Sequence, residues 1–93
     1  MIKGFKHEGL QELFERGTTR KIQKTMHARC LRRLDALKDA ARPEDMNLPG
    51  FDFHALRGGR RYTVHVNGPC CITFEFDDGD ADRVDFEQYQ QYH

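Results

Sequence analysis

Two runs of strict alternation on either side of Asn67-Gly68-Pro69 constrain this chain more than any other feature. Tyr62, Val64 and Val66 alternate with Arg61, Thr63 and His65. After the break, Ile72, Phe74 and Phe76 alternate with Cys71, Thr73 and Glu75. A period of two with one apolar set is how a half-buried antiparallel strand pair reads. Asn67-Gly68 is a strong hairpin signal, because both residues tolerate positive φ. A two-residue loop at Asn67-Gly68 would pair Val66 with Pro69 and put the two apolar sets on opposite faces. A loop of odd length instead pairs Val64 with Ile72 and Tyr62 with Phe74. The other face then carries His65 beside Cys71, Thr63 beside Thr73 and Arg61 beside Glu75. A one-residue slip would invert every side chain, so burial selects the odd register. Pro69 cannot take a left-handed cap, and a bulge is expected there.

The rest of the chain is arranged around that hairpin. Ile2–Lys6 reads as a short edge strand. Glu8–Arg16 reads as a helix, with Leu10, Leu13 and Phe14 on one stripe and Gly17 as its stop. A long second helix is expected over roughly 20–41, capped by Thr18 or Thr19, with Ile22, Met26, Cys30, Leu34, Leu37 and Ala41 facing the core. Pro43 ends it and 42–50 is a loop. Strands follow at 51–56, at the hairpin and at 81–86, with a tight turn at 77–80 and a polar tail from Glu87. The order is β-αα-ββββ, an α+β class with two N-terminal helices packed on an antiparallel sheet.

Ninety-three residues make a single small domain, 1–93. No apolar run is long enough to cross a bilayer and the first residues lack a signal peptide's apolar core, so a cytoplasmic protein is expected. Three cysteines, two adjacent, do not make a disulfide framework. Net charge is zero but unevenly spread: residues 1–42 carry +6 and residues 43–93 carry −6. Between Arg20 and Arg33 lie six basic residues and no acid. Arg20, Lys21 and Lys24 are candidates to meet phosphates, against the plainer reading of a solvated helix face.

The motifs carry a resemblance. His54-Ala55-Leu56-Arg57-Gly58, the YxVxVNG hairpin, the ITFxF and DGDAxxVD stretches that follow it, and a closing tyrosine–histidine pair are similar to the HigB-type toxins of the RelE/ParE toxin–antitoxin superfamily. The start, MIKxFKHxGLxxLFExG, and the PEDMxLPG region resemble them too. The resemblance implies a microbial-ribonuclease-like fold with a curved sheet. It implies a ribosome-dependent mRNA endoribonuclease, with no cofactor and no metal. Its partners would be the ribosome, mRNA and a HigA-like helix-turn-helix antitoxin, with operator DNA reached only through the antitoxin.

Cleaving RNA without a metal takes a base for the 2′-hydroxyl proton, positive charge for the phosphorane and an acid for the leaving 5′-oxygen. His54 suits the proton transfer and Arg57 the phosphate. His54 matches the family's HxL[KR]G histidine, and Arg57 stands where that motif has lysine or arginine. Two departures stand out. Cys71 occupies the position of a family arginine that contacts the scissile phosphate, and a thiol supplies neither its charge nor its fork of donors. Arg60, Arg61 or His65 could substitute. The tail also differs: either Tyr89 takes the family tyrosine position and Gln90 replaces the histidine, or three extra residues leave Tyr92 and His93 in those roles. The alternatives are a weakened toxin that mainly binds antitoxin and co-represses, and a ParE-like topoisomerase inhibitor.

Overall fold

The computed structural model describes residues 1–88. Helix α1 (Glu8–Arg16) begins where His7 Nδ1 accepts the Leu10 amide at 3.0 Å, and ends at Gly17, whose φ of 82° closes the last turn onto the Leu13 carbonyl. His7 is thus a helix cap. Helix α2 (His27–Asp39) follows a short 3-10 segment, Lys24–Met26. It is shorter at its start than its apolar stripe suggests. The Thr19 hydroxyl takes the Lys21 amide at 3.1 Å, and the His27 ring takes the Ile22 carbonyl at 2.8 Å. The His27 bond claims the carbonyl that a helix running through residue 22 would offer the Met26 amide, which bonds Gln23 instead, whereas the Thr19 bond is an ordinary cap. Ile22 is buried all the same, inside an irregular link. A second 3-10 segment, Pro43–Met46, buries Met46.

One antiparallel sheet of order β1-β2-β3-β4 packs under the helices: β1 (His54–Ala55), β2 (Tyr62–Asn67), β3 (Cys70–Asp77) and β4 (Asp80–Gln88). The N-terminal strand expected at residues 2–6 is instead two isolated parallel bridges, Ile2 to Ala81 and Phe5 to Val84. The cause lies in β4, where Arg83 adopts φ 50° and a bulge breaks the ladder between those two points. The strand expected over 51–56 contracts to β1, because Phe51 turns inward and is 3% exposed. Leu10, Leu13, Leu34, Leu37, Val64, Ile72 and Phe74 fill the space between helices and sheet. Each such side chain, fully buried, contributes about 1.5–3 kcal/mol of transfer free energy.

The hairpin register is the one burial selects: Val64 faces Ile72, Tyr62 faces Phe74, and His65 faces Cys71. The mechanism is a two-residue turn plus a bulge. Gly68 (φ 56°) and Pro69 make the turn, Asn67 pairs with Cys70, and Val66 is the extra residue. The bulge therefore falls at Val66, not at Pro69. A bulge leaves carbonyls without ladder partners, and two arginines of α2 take them. Arg33 Nε donates to the His65 carbonyl at 2.5 Å, and Arg29 donates to the Val66 carbonyl and to Asn67 Oδ1 at 3.4 and 3.0 Å. Arg33 is only 5% exposed, bonds the Gly50 carbonyl as well, and lies 4.5 Å over the Phe51 ring. Burial, with the neighbouring Arg32 charge, pulls its pKa below the ordinary arginine value. Part of the basic run is thus structural.

Candidate active site

The face of the sheet turned away from the helices collects the polar side chains in cross-strand rows. His54 pairs with Thr63, Thr63 with Thr73, and Thr73 with Asp85. In the next row His65 pairs with Cys71 and Cys71 with Glu87. Much of this face is covered: Thr63, Cys71 and Thr73 are all at most 3% exposed.

At one end of that face is a cavity of about 220 Å³, lined by Asp52, His54, Thr63 and His65, and closed by Gly68, Pro69, Cys70 and Cys71. Each element contributes for a local reason. The turn at Asp52 (φ 47°) lets the chain drop from buried Phe51 into β1, and β1 carries His54. The bulge at Val66 and the turn at Gly68-Pro69 fold the far end of β2 over the same space. The Phe51 carbonyl accepts the His65 amide at 2.7 Å and ties these two walls together.

Both imidazoles are held by carbonyls, and a carbonyl only accepts, so the bonded nitrogen carries the proton in each case. His54 Nδ1 donates to the Asp52 carbonyl at 3.1 Å, and His65 Nε2 donates to the Gly68 carbonyl at 3.0 Å. The nitrogens left to accept a proton are His54 Nε2 and His65 Nδ1. Thr63 Oγ1 is buried in the same wall with no hydrogen-bond partner among the described residues. No lysine or arginine lines the cavity among those residues.

The cations named from the sequence are placed elsewhere. Arg57 is exposed in the turn between β1 and β2 and does not line the cavity. Arg61 is tied down: it donates to Glu75 at 3.1 Å, to the Thr73 hydroxyl at 2.6 Å and to the Arg83 carbonyl at 3.2 Å, with Glu87 at 3.8 Å. Glu87 also accepts from the Thr73 hydroxyl. Arg60 lines a separate depression with Glu75, Asp77 and Asp82. Arg20 and Lys21 line a third, beside Thr18 and Thr19, where Lys21 pairs with Glu8 at 2.6 Å. That contact raises the Lys21 pKa and lowers that of Glu8. Lys24 is exposed in the 3-10 segment before α2. Tyr89, Tyr92 and His93 lie outside the described residues.

Of the named residues, then, the fold brings His54 and His65 together. Asp52 and Thr63 join them, and neither was a candidate from the sequence. Thr63 could have been found by extending the register one strand further, had the short β1 been legible. Among the described residues no helix is long and apolar enough to cross a membrane.

Comparison with known proteins gives concordant results. Residues 3–93 match the family of RelE-like toxins of the type II toxin-antitoxin system HigB. The chain is 36% identical to Endoribonuclease HigB of Proteus vulgaris over 91 residues, which is 96% of this chain and 99% of that protein.

Proposed function

Since this chain belongs to the HigB-like family of RelE-like type II toxins, we propose that it is a toxin ribonuclease that cuts mRNA in the ribosome and is neutralised by a HigA-like antitoxin. The observation that carries the reading is the cavity, in which His54 presents the ring nitrogen not held by the Asp52 carbonyl, beside a second imidazole. Chemistry of that kind suits proton transfer at a phosphodiester. His54 takes or gives a proton, and Arg57, on the turn that follows β1, meets phosphate at the edge of the face. Either Tyr92 with His93, or Tyr89, supplies the remaining groups of the site. The role of operator DNA runs through the antitoxin. RNA must be presented extended and distorted for the in-line attack, which a ribosome can do and free coil does poorly. No metal ion or organic cofactor is assigned a step.

A second reading, a toxin of reduced activity that serves chiefly to bind antitoxin, is favoured by one observation. Arg61, one of the cations that could stand in for the missing arginine, is spent on Glu75 and Glu87. Inducible expression with mapping of transcript ends separates the readings. Growth arrest with cuts inside translated codons is expected. Intact transcripts with retained antitoxin binding would favour the second reading, and arrest with intact mRNA and altered DNA topology would favour a topoisomerase target.

A further inference from the structure

We propose that His65 is the second proton-transfer group of this site, paired with His54 across the cavity. The inference rests on the ribonuclease reading and names the group that completes it. Two observations carry it. His54 is the direct cross-strand partner of Thr63, and His65 is two residues further along β2, so the two imidazoles are diagonal neighbours on one face. Such neighbours stand roughly 7 Å apart, a span that a phosphodiester in line with its attacking and leaving oxygens can bridge. Both rings are oriented by carbonyl bonds that leave one nitrogen of each open to a proton.

The step balances within the pair. One neutral imidazole takes the 2′-hydroxyl proton as the 2′-oxygen bonds to phosphorus. The bond from phosphorus to the 5′-oxygen breaks, and the other ring, as imidazolium, delivers its proton to that oxygen. The products are a 2′,3′-cyclic phosphate and a 5′-hydroxyl. The two rings end with their protonation exchanged, and solvent resets them. With no arginine or lysine in the lining among the described residues, an imidazolium is the positive charge these walls can offer the phosphorane.

Other ionisable groups face the pair. Asp52 comes from the loop before β1, Cys70 and Cys71 from β3, and Glu87 from β4 behind Cys71. Arg29 and Arg33 of α2 stand behind the bulge carbonyls.

The test is single-turnover cleavage of mRNA on programmed ribosomes by the full chain, followed from acid to alkaline pH. Wild type should give a bell-shaped profile and cyclic-phosphate ends. His65→Gln keeps an amide donor for the Gly68 carbonyl but cannot transfer a proton. It should cleave about a hundredfold more slowly or worse and lose one limb of the bell, while co-sedimenting with ribosomes as wild type does. A His65→Gln protein that cuts within a few-fold of wild type with the same bell overturns the proposal. So does a limb that moves with Asp52→Asn in place of His65→Gln, or a His93→Gln loss that takes over the effect. If wild type itself leaves ribosome-bound mRNA uncut, the ribonuclease reading fails and takes this inference with it. The first three outcomes leave that reading standing.

Discussion

Cys71 is the residue at which chemistry and packing pull apart. It is 3% exposed, between His65 on β2 and Glu87 on β4, and its thiol donates to the Glu87 carbonyl at 3.4 Å. A guanidinium could not fit there without opening the face. Arg61 shows the complementary case, a cation in reach of phosphate by sequence but neutralised by carboxylates in space. These two facts give a prediction. Cys71→Arg should raise ribosome-dependent cleavage by about tenfold, because a cation would enter the empty role, and should lower the melting temperature through overpacking. Equal cleavage by both proteins would mean that the absent arginine does not limit activity. Cys30 behaves differently. Burial pushes its thiol up to about 12, so it stays protonated and inert at neutral pH.

Among the elements, the β2–β3 hairpin with its α2 buttress decides the site. A bulge at Val66 moves His65 onto the cavity wall, and Arg33 holds that bulge by bonding carbonyls from β2 and from the Gly50 loop. Arg33 also bonds the Arg29 carbonyl within its own helix. Arg33→Met would keep much of the side chain's bulk but strand the carbonyls of His65 and Gly50. It should cost about 2–4 kcal/mol of stability, read from urea unfolding. Arg33→Lys should recover little of it, since a single ammonium cannot reach the same fork of acceptors. A stability change under about 0.5 kcal/mol, the size of an ordinary surface substitution, would refute this buttress. The same reasoning shows how the sequence misleads. Six basic residues in fourteen positions look like one charged surface. Two of them, Arg29 and Arg33, are instead tied to the hairpin backbone, because a bulged strand needs donors and α2 is the nearest source.

At the scale of the molecule, the charge asymmetry survives folding on the basic link before α2. Arg20, Lys24 and Arg32 remain exposed, and Lys21 is exposed but paired. Such a surface favours association with a polyanion through counterion release. Replacing Arg20 and Lys24 by glutamate should weaken ribosome association about tenfold at low salt and flatten its salt dependence, with single-turnover cleavage on saturating ribosomes little changed. An unaltered salt slope would show that this surface is not the docking face. The alternation about Asn67–Pro69, read from the residues alone, determined the hairpin register and the pairing of His65 with Cys71, since burying one face leaves only one register; with the two helical stripes it determined the α+β class. Local pattern could not fix the bounds of β1, the start of α2 or the cavity. Those depend on contacts that capture backbone groups: the His27 ring on the Ile22 carbonyl, Arg33 on the carbonyls of His65 and Gly50, and the Phe51 carbonyl on the His65 amide. Tertiary structure alone decided which polar residues share a space, because that depends on where a bulge and a buried guanidinium bring two strand ends together.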